Sequence, residues 1–251
     1  MKRAFLVVLA VLAMAGCWDD DCNTIFEIEG DRIMASIDIA PSNTANAYWE
    51  AVAPPYPREQ WDSPVEGSSL TNNNQESTEL FVADYTLLRP GDDYHHTRRG
   101  WMEFDLSSIP REGVLSASFF FKNLGGYSAG LVMQASNQSF PIPAAGLMTD
   151  DIWMDFDGAA VGRADTIAEG EWNEVALNSV GVDYLNSAIS DGTAVFCFRA
   201  SNDYDSESYE ESLSTGMYLV GSDYEPYLAI TYNPFAQVSK PATGNFAEVI
   251  N

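Results

Sequence analysis

Apolar and polar residues alternate in many short segments of this chain, and such alternation predicts β-strands. In the clearest segment, residues 100–106, Met102, Phe104 and Leu106 share one face of the predicted strand. Glycine, asparagine, aspartate and serine separate the segments, as is typical of β-sandwiches and jelly rolls. The predicted strands cover residues 26–29, 33–39, 80–83, 100–106, 114–122, 129–135, 171–177, 194–199, 217–220 and 227–232.

One segment has helical periodicity instead. Val182, Leu185 and Ile189 recur at intervals of three or four residues, and Asp191-Gly192 ends the pattern. The predicted fold class is therefore all-β, a jelly-roll β-sandwich with one short crossover helix. We expect the sandwich to span residues 45–233, after a tether with short N-terminal strands at 17–44 and before a flexible tail at 234–251.

The first residues have the pattern of an export signal. A basic start precedes an apolar run at residues 4–13, and Met14-Ala15-Gly16-Cys17 follows. The run is shorter than the ~20 residues that span a bilayer. The ending resembles a bacterial lipobox, which implies removal of residues 1–16, lipidation of Cys17 and a lipid anchor at the bacterial cell envelope. An ordinary cleaved signal is the alternative.

The net negative charge of the chain argues against two classes of binding partner, nucleic acids and anionic lipids. The chain has 37 acidic and 12 basic residues and a formal net charge of −25. Such a surface repels nucleic acid and anionic lipid, so we expect membrane contact through the lipid anchor only. Cys22 and Cys197 remain for a disulfide, which export permits. The apolar run around Cys197 favours a buried thiol instead.

Several stretches resemble the DNRLRE domain family, whose relatives include disaggregatase-related domains and a carbohydrate-binding module family. The strongest is Phe104-Asp-Leu-Ser-Ser-Ile-Pro110 followed by the alternating segment 114–121, and the closing segment 225–232 also fits. The Ser-Arg-Glu that often precedes the family's closing strand is absent here. The resemblance, over residues 60–233, implies a jelly-roll sandwich that is usually non-catalytic and in some members binds polysaccharide.

Two acidic stretches have the composition of calcium loops. Asp155 and Asp157 alternate before a glycine, and Asp203, Asp205 and Glu207 alternate in a second segment. Calcium takes six to eight oxygen ligands, and alternate residues of an extended loop point the same way. Structural calcium is one interpretation; the other is that these acids merely solvate loops.

Polysaccharide binding requires exposed flat aromatic rings with polar neighbours. Seven candidates fall in predicted loops, five of them favoured (Trp61, Tyr94, Trp153, Tyr204 and Tyr209) and two less so (Tyr85 and Tyr224). Each could instead pack against the sandwich, and Trp101 and Trp172 are expected to fill the core or one sheet face. His95 and His96 are predicted to lie in a polar loop, without an accompanying nucleophile motif.

These patterns predict a non-catalytic surface lipoprotein that binds extracellular or cell-envelope polysaccharide, with calcium as a possible aid. The alternative is a structural or adhesive surface protein without a small ligand. A polysaccharide-cleaving enzyme is the least favoured hypothesis, because acids are too abundant for any pair of carboxylates to stand out.

Overall fold

The computed structural model describes residues 25–29, 32–52, 79–89, 92–109, 113–124, 130–141, 158–205, 213–218 and 223–234. Within these ranges the chain forms strands and two short helices, α1 (Ser179–Ala188) and α2 (Ser201–Asp205). The strands are β1 (Ile25–Glu29), β2 (Arg32–Ile39), β3 (Pro41–Val52), β4 (Glu79–Arg89), β5 (Asp92–Asp105), β6 (Val114–Lys122), β7 (Leu131–Ala135), β8 (Ala160–Ala164), β9 (Trp172–Ala176), β10 (Thr193–Ala200), β11 (Leu213–Tyr218) and β12 (Tyr227–Tyr232).

The strands build two antiparallel sheets. Sheet A has the order β1-β2-β12-β6-β9, and sheet B has the order β11-β4-β5-β10-β7-β8, with β3 also paired to β5. Eight of these strands follow a jelly-roll path: β2, β12, β6 and β9 in sheet A face β5, β10, β7 and β8 in sheet B. The chain crosses repeatedly from one sheet to the other, so the predicted jelly-roll β-sandwich is confirmed.

Strand β5 is long enough to have three partners. Its edge along residues 94–104 pairs with β3, while the opposite edge pairs first with β4 and then with β10. Arg98 thus lies between Tyr48 and Ala83, whereas Met102 lies between Thr44 and Phe196. The sheet therefore widens beyond the eight jelly-roll strands on the β5 side.

The core lies between the sheets and is rich in aromatic rings. Phe104 contacts Phe119 and Phe196 edge to face, with centroids 6.3 and 5.9 Å apart. The ring of Phe198 lies 5.0 Å from that of Phe119. Complete burial of such a side chain is worth about 1.5–3 kcal/mol. The apolar alternation of β5 and β6 therefore provides much of the interior, as predicted.

Helix α1 connects β9 in sheet A to β10 in sheet B, as the predicted crossover helix should. The side chain of Asn178 caps its first turn by accepting a hydrogen bond from the Gly181 amide at 3.1 Å. At the other end, Gly192 has a φ of +80°, a conformation that glycine adopts readily. Tyr184 ties the helix to β10 by donating its hydroxyl to the Val195 carbonyl oxygen at 2.8 Å.

The structure differs from the sequence prediction at several places. β3 and β8 were not predicted, and the histidine segment predicted as a polar loop forms the start of β5. β2 lies inside sheet A, between β1 and β12, so the sandwich includes residues ahead of position 45. Among the described residues, no helix has the length and apolar character needed to cross a membrane.

Candidate functional site: the outer face of sheet A

The outward side of sheet A carries a contiguous group of aromatic side chains. Strand alternation turns Phe119 and Phe121 of β6 into the core and leaves Phe120 between them on the outside. The same rule buries Leu228 of β12 and turns Tyr227 outward. Together with Trp172 of β9, Phe120 and Tyr227 form what we call the aromatic face.

The rings of the aromatic face touch one another across three adjacent strands. Tyr227 lies directly opposite Phe120, and their rings stack with centroids 5.0 Å apart and planes 14° apart. The Trp172 indole lies 5.7 Å from the Tyr227 ring at an angle of 54°. Trp172 is 45% exposed, one of the largest apolar exposures among the described residues. Phe120 and Tyr227 are half-buried beside it. Contiguous apolar groups on a protein surface often mark interaction sites.

A cation and a further aromatic ring lie at one end of the aromatic face. Lys122 is opposite Trp172 in the strand register, and its Nζ is 3.6 Å from the centroid of the Tyr224 ring. This distance is well within the range of a cation–π contact. Tyr224 remains 40% exposed. The Lys122 ammonium is thus held over an aromatic ring beside the aromatic face.

Small side chains lie on the other side of the aromatic face. Ala229, Ser118 and Ala176 face each other across β12, β6 and β9, one outward position beyond Tyr227 and Phe120 and two beyond Trp172. The next outward positions of β12 and β2 carry hydroxyls, and the Oγ of Ser36 lies 3.2 Å from Oγ1 of Thr231. The outward side chains beside the aromatic rings are therefore small, with hydroxyls in the next row, and we call this strip of sheet A the trench.

Two carboxylates flank the aromatic face. Asp38 of β2 is opposite Ala229 in the register, and Glu174 of β9 is opposite Phe120. Both are exposed. Partial burial raises the pKa of the Tyr227 hydroxyl, and the negative charges of Asp38 and Glu174 raise it further. Partial burial also raises the pKa of Asp38.

Asp203, a predicted calcium ligand, is buried between two arginines. Its carboxylate accepts from Arg99 Nε at 2.8 Å and from Arg199 Nη2 at 2.9 Å. Burial raises its pKa, but the positive charges of Arg99 and Arg199 outweigh burial and hold the pKa below its usual range. The carboxylate oxygens predicted to face a metal ion therefore face two guanidinium groups.

The predicted extended loop over 201–207 is wrong for residues 201–205, because these form α2. In a helix, residues two apart point in different directions, so Asp203 and Asp205 do not converge. Asp205 accepts from Arg163 Nη1 at 2.8 Å. Within the described ranges, no group of three or more histidine, cysteine, aspartate or glutamate residues is arranged to hold a metal ion.

Tyr204, a predicted polysaccharide contact, packs partly against the protein. Its hydroxyl accepts a hydrogen bond from the Ala160 amide at 3.2 Å, and the Arg199 guanidinium lies 5.6 Å from its ring centroid. These contacts correspond to the alternative interpretation of that tyrosine. Cys197 is completely buried in β10, as its apolar surroundings predicted.

Most other predicted site residues lie outside the part of the chain that the structure describes. These are Cys17, Trp61, Trp153, Asp155, Asp157, Glu207 and Tyr209, and Cys22 lies there too. Tyr85 is in β4 and Tyr94 is in β5, where the backbone alone is described. Their proposed roles stay predictions.

The aromatic face does not follow from the sequence alone, although the sequence predicts β6, β9 and β12 nearly correctly. The sequence pattern favours loop aromatics as sugar contacts and places Trp172 in the core or on a sheet face without a ligand. A usable signal was present: once Phe119 and Phe121 are assigned inward, Phe120 must point outward. Strand register, which places it beside Tyr227, follows from pairing that one sequence does not reveal.

Comparisons with known proteins leave the family open. No protein-family model matches the chain, and no curated protein matches it. Among solved structures, it has a TM-score of 0.26 and 11% identity to the K1 cleaved adhesin domain of Lys-gingipain from Porphyromonas gingivalis W83. The match covers 78% of this chain and 96% of that domain. A TM-score this low does not establish a shared fold, and the DNRLRE resemblance stays a prediction.

Proposed function

We propose that this chain is a non-catalytic, lipid-anchored protein of the bacterial cell envelope whose sandwich binds polysaccharide on the aromatic face. The observation that carries the proposal is the contiguous, outward group of Trp172, Tyr227 and Phe120 on sheet A. Rings exposed on a rigid sheet are pre-organised, so stacking a ligand on them orders little of the protein.

The chemistry beside the rings suits a sugar. Sugar rings present flat apolar faces, which stack on aromatic side chains, and hydroxyls at their edges, which need hydrogen-bond partners. Ser118, Thr231 and Ser36 offer hydroxyls along the trench, and the carboxylates of Asp38 and Glu174 accept hydrogen bonds from hydroxyl donors. Apolar walls with a few polar groups are the usual composition of such sites.

The proposed anchor is close to the sandwich in sequence. Eight residue steps separate Cys17 from Ile25, the first residue of β1. A fully extended chain of that length reaches at most about 28 Å. A lipid at Cys17 would therefore keep sheet A close to the membrane.

The test is affinity electrophoresis and calorimetry with neutral, amino and acidic polysaccharides. We expect at least one to retard the wild-type protein, and Trp172→Ala to weaken its binding by about fivefold or more. Val180→Ala is the matched control, since Val180 is an exposed apolar residue on α1, away from the aromatic face. A Trp153→Ala variant tests the sequence-based candidate in parallel.

Several outcomes would count against this function. Failure of every polysaccharide to bind contradicts it, as does binding that Trp172→Ala leaves unchanged. Self-association that depends on Trp172, without polysaccharide binding, would favour the structural or adhesive alternative. Release of sugar products from a bound polysaccharide would contradict the non-catalytic assignment.

Structural calcium remains part of the proposal through Asp155 and Asp157. If calcium binds them, it should raise the midpoint of thermal unfolding more than magnesium at equal ionic strength, since a ligand that binds the folded state stabilises it. The double variant Asp155→Asn/Asp157→Asn should abolish the difference. Equal midpoints in calcium and magnesium for the wild type would remove calcium from the proposal.

A further inference from the structure

We propose that the aromatic face selects a polysaccharide that carries free amino groups, because carboxylates flank its rings on both sides. This inference rests on the proposed function and adds the chemical class of the ligand. Asp38 on β2 and Glu174 on β9 supply the two carboxylates, and both are exposed beside the trench and the rings.

The two carboxylates are placed for an extended ligand that runs across the strands. In sheet A, β12 and β6 lie between β2 and β9. With neighbouring strands ~4.8 Å apart, three spacings put Asp38 and Glu174 on lines about 14 Å apart. A sugar chain that lies across Tyr227 and Phe120 would extend toward Glu174 in one direction. In the other direction it would extend toward Asp38, which is one outward position off that row.

The cation of this surface is already engaged. The Lys122 ammonium lies over the Tyr224 ring at 3.6 Å from the centroid, at the end of the aromatic face away from the trench. Its charge therefore lies at the opposite end of the aromatic face from Asp38, which is in the trench row. The chain's net charge of −25 adds a general repulsion against acidic polysaccharides.

An ammonium group satisfies either of these carboxylates better than a hydroxyl does. Hydrogen bonds between charged partners are shorter and stronger than those between neutral ones. Asp38 is also partly desolvated, since burial raises its pKa, and an ammonium at that position would compensate the lost hydration. N-acetylation of the sugar removes both the charge and two of the three donors, so it should remove the preference.

The test compares two matched probes, a glucosamine hexamer and an N-acetylglucosamine hexamer, by calorimetry at about pH 6, where sugar amines are largely protonated and carboxylates are ionised. We expect the free-amine hexamer to bind more tightly by about fivefold or more. Asp38→Asn and Glu174→Gln should each weaken it by about two- to fivefold, as exposed ion pairs do. Added salt should reduce the preference.

Controls separate this inference from the proposed function. Asp183→Asn removes a carboxylate from the exposed side of α1 and should leave both affinities unchanged. Trp172-dependent binding with no preference for the amine would overturn the inference alone. Equal losses for both hexamers in Glu174→Gln would also overturn it. If neither hexamer nor any polysaccharide binds, the proposed function and the inference fail together.

Discussion

At the scale of single residues, the buried ion pairs of Asp203 should contribute strongly to the free energy of unfolding. Asp203 is 2% exposed and contacts Arg99 and Arg199, which are also buried. Asp203→Asn would leave two buried guanidinium groups without their anion, so we expect a loss of about 3–5 kcal/mol in the free energy of unfolding. Urea denaturation measures this loss.

A matched variant keeps that prediction falsifiable. Asp205→Asn on the same helix removes a carboxylate whose partner Arg163 is partly exposed, so it should cost at most about 1 kcal/mol. If Asp203→Asn and Asp205→Asn lower the free energy of unfolding equally, burial does not determine how much these ion pairs contribute to stability.

The same carboxylate should make stability depend on pH. In the folded protein the charges of Arg99 and Arg199 hold the pKa of Asp203 well below its unfolded value of about 3.9. A depressed folded pKa stabilises the protein above the unfolded pKa, and this contribution is lost as pH falls below it. The stability gap between wild type and Asp203→Asn should therefore stay constant from about pH 7 to 5 and shrink below about pH 4. A gap that widens toward low pH in urea titrations would contradict the assignment.

At the scale of elements, helix α1 packs too closely on β8 to accept a larger residue at Gly181. A Cβ there would lie 2.8 Å from the Val161 carbonyl oxygen and 3.0 Å from the Leu177 side chain. Helix propensity alone favours Gly→Ala by about 1 kcal/mol. We expect the steric cost to exceed this gain. Gly181→Ala should therefore destabilise the protein by about 1–3 kcal/mol, as measured by urea denaturation. Ser187→Ala, on the exposed side of α1, should be neutral or slightly stabilising.

The sequence predicts a strand well where one face of the strand is apolar. It predicts a strand less well where the conformation depends on pairing with a neighbouring strand. The boundaries of β6 were predicted correctly, and buried positions alternate with less buried ones from Ala117 to Lys122. β3 carries a polar start without alternation, and its strand conformation depends on β5 beside it. The aromatic face is also only partly predictable. The pattern of β6 alone shows that Phe120 points outward. Its proximity to Tyr227 depends on the register between β6 and β12.

The helix α2 was missed for a related reason. Ser201–Asp205 is only one turn of mostly polar residues, and isolated helices of that length are not stable. Arg99 of β5, distant in the sequence, and Arg199 of β10, four residues earlier, hold Asp203 in place. The composition of that segment suggests a calcium loop, but the contacts of Asp203 with the two arginines show that its carboxylate has other partners.

At the scale of the whole molecule, the jelly roll depends on a strand near the N-terminus. β2 pairs with β12 along residues Ala35–Ile39 and contributes Ala35 and Ile39 to the core. A chain that begins at residue 40 lacks this strand. The edge of β12 that pairs with β2 and part of the apolar core would then be exposed, which favours aggregation. We expect a chain that begins at residue 25 to unfold cooperatively on heating and one that begins at residue 40 to lack a cooperative transition.

The opposite end of the chain supplies the control for this truncation. Removal of residues 235–251, most of the predicted tail, should shift the unfolding midpoint by no more than a few degrees, because β12 ends before it. Calorimetry and near-ultraviolet circular dichroism measure both truncations. If the chain that begins at residue 40 unfolds cooperatively at the same midpoint as the longer one, the sandwich closes without β2, and the domain begins near residue 45 as the sequence alone predicted.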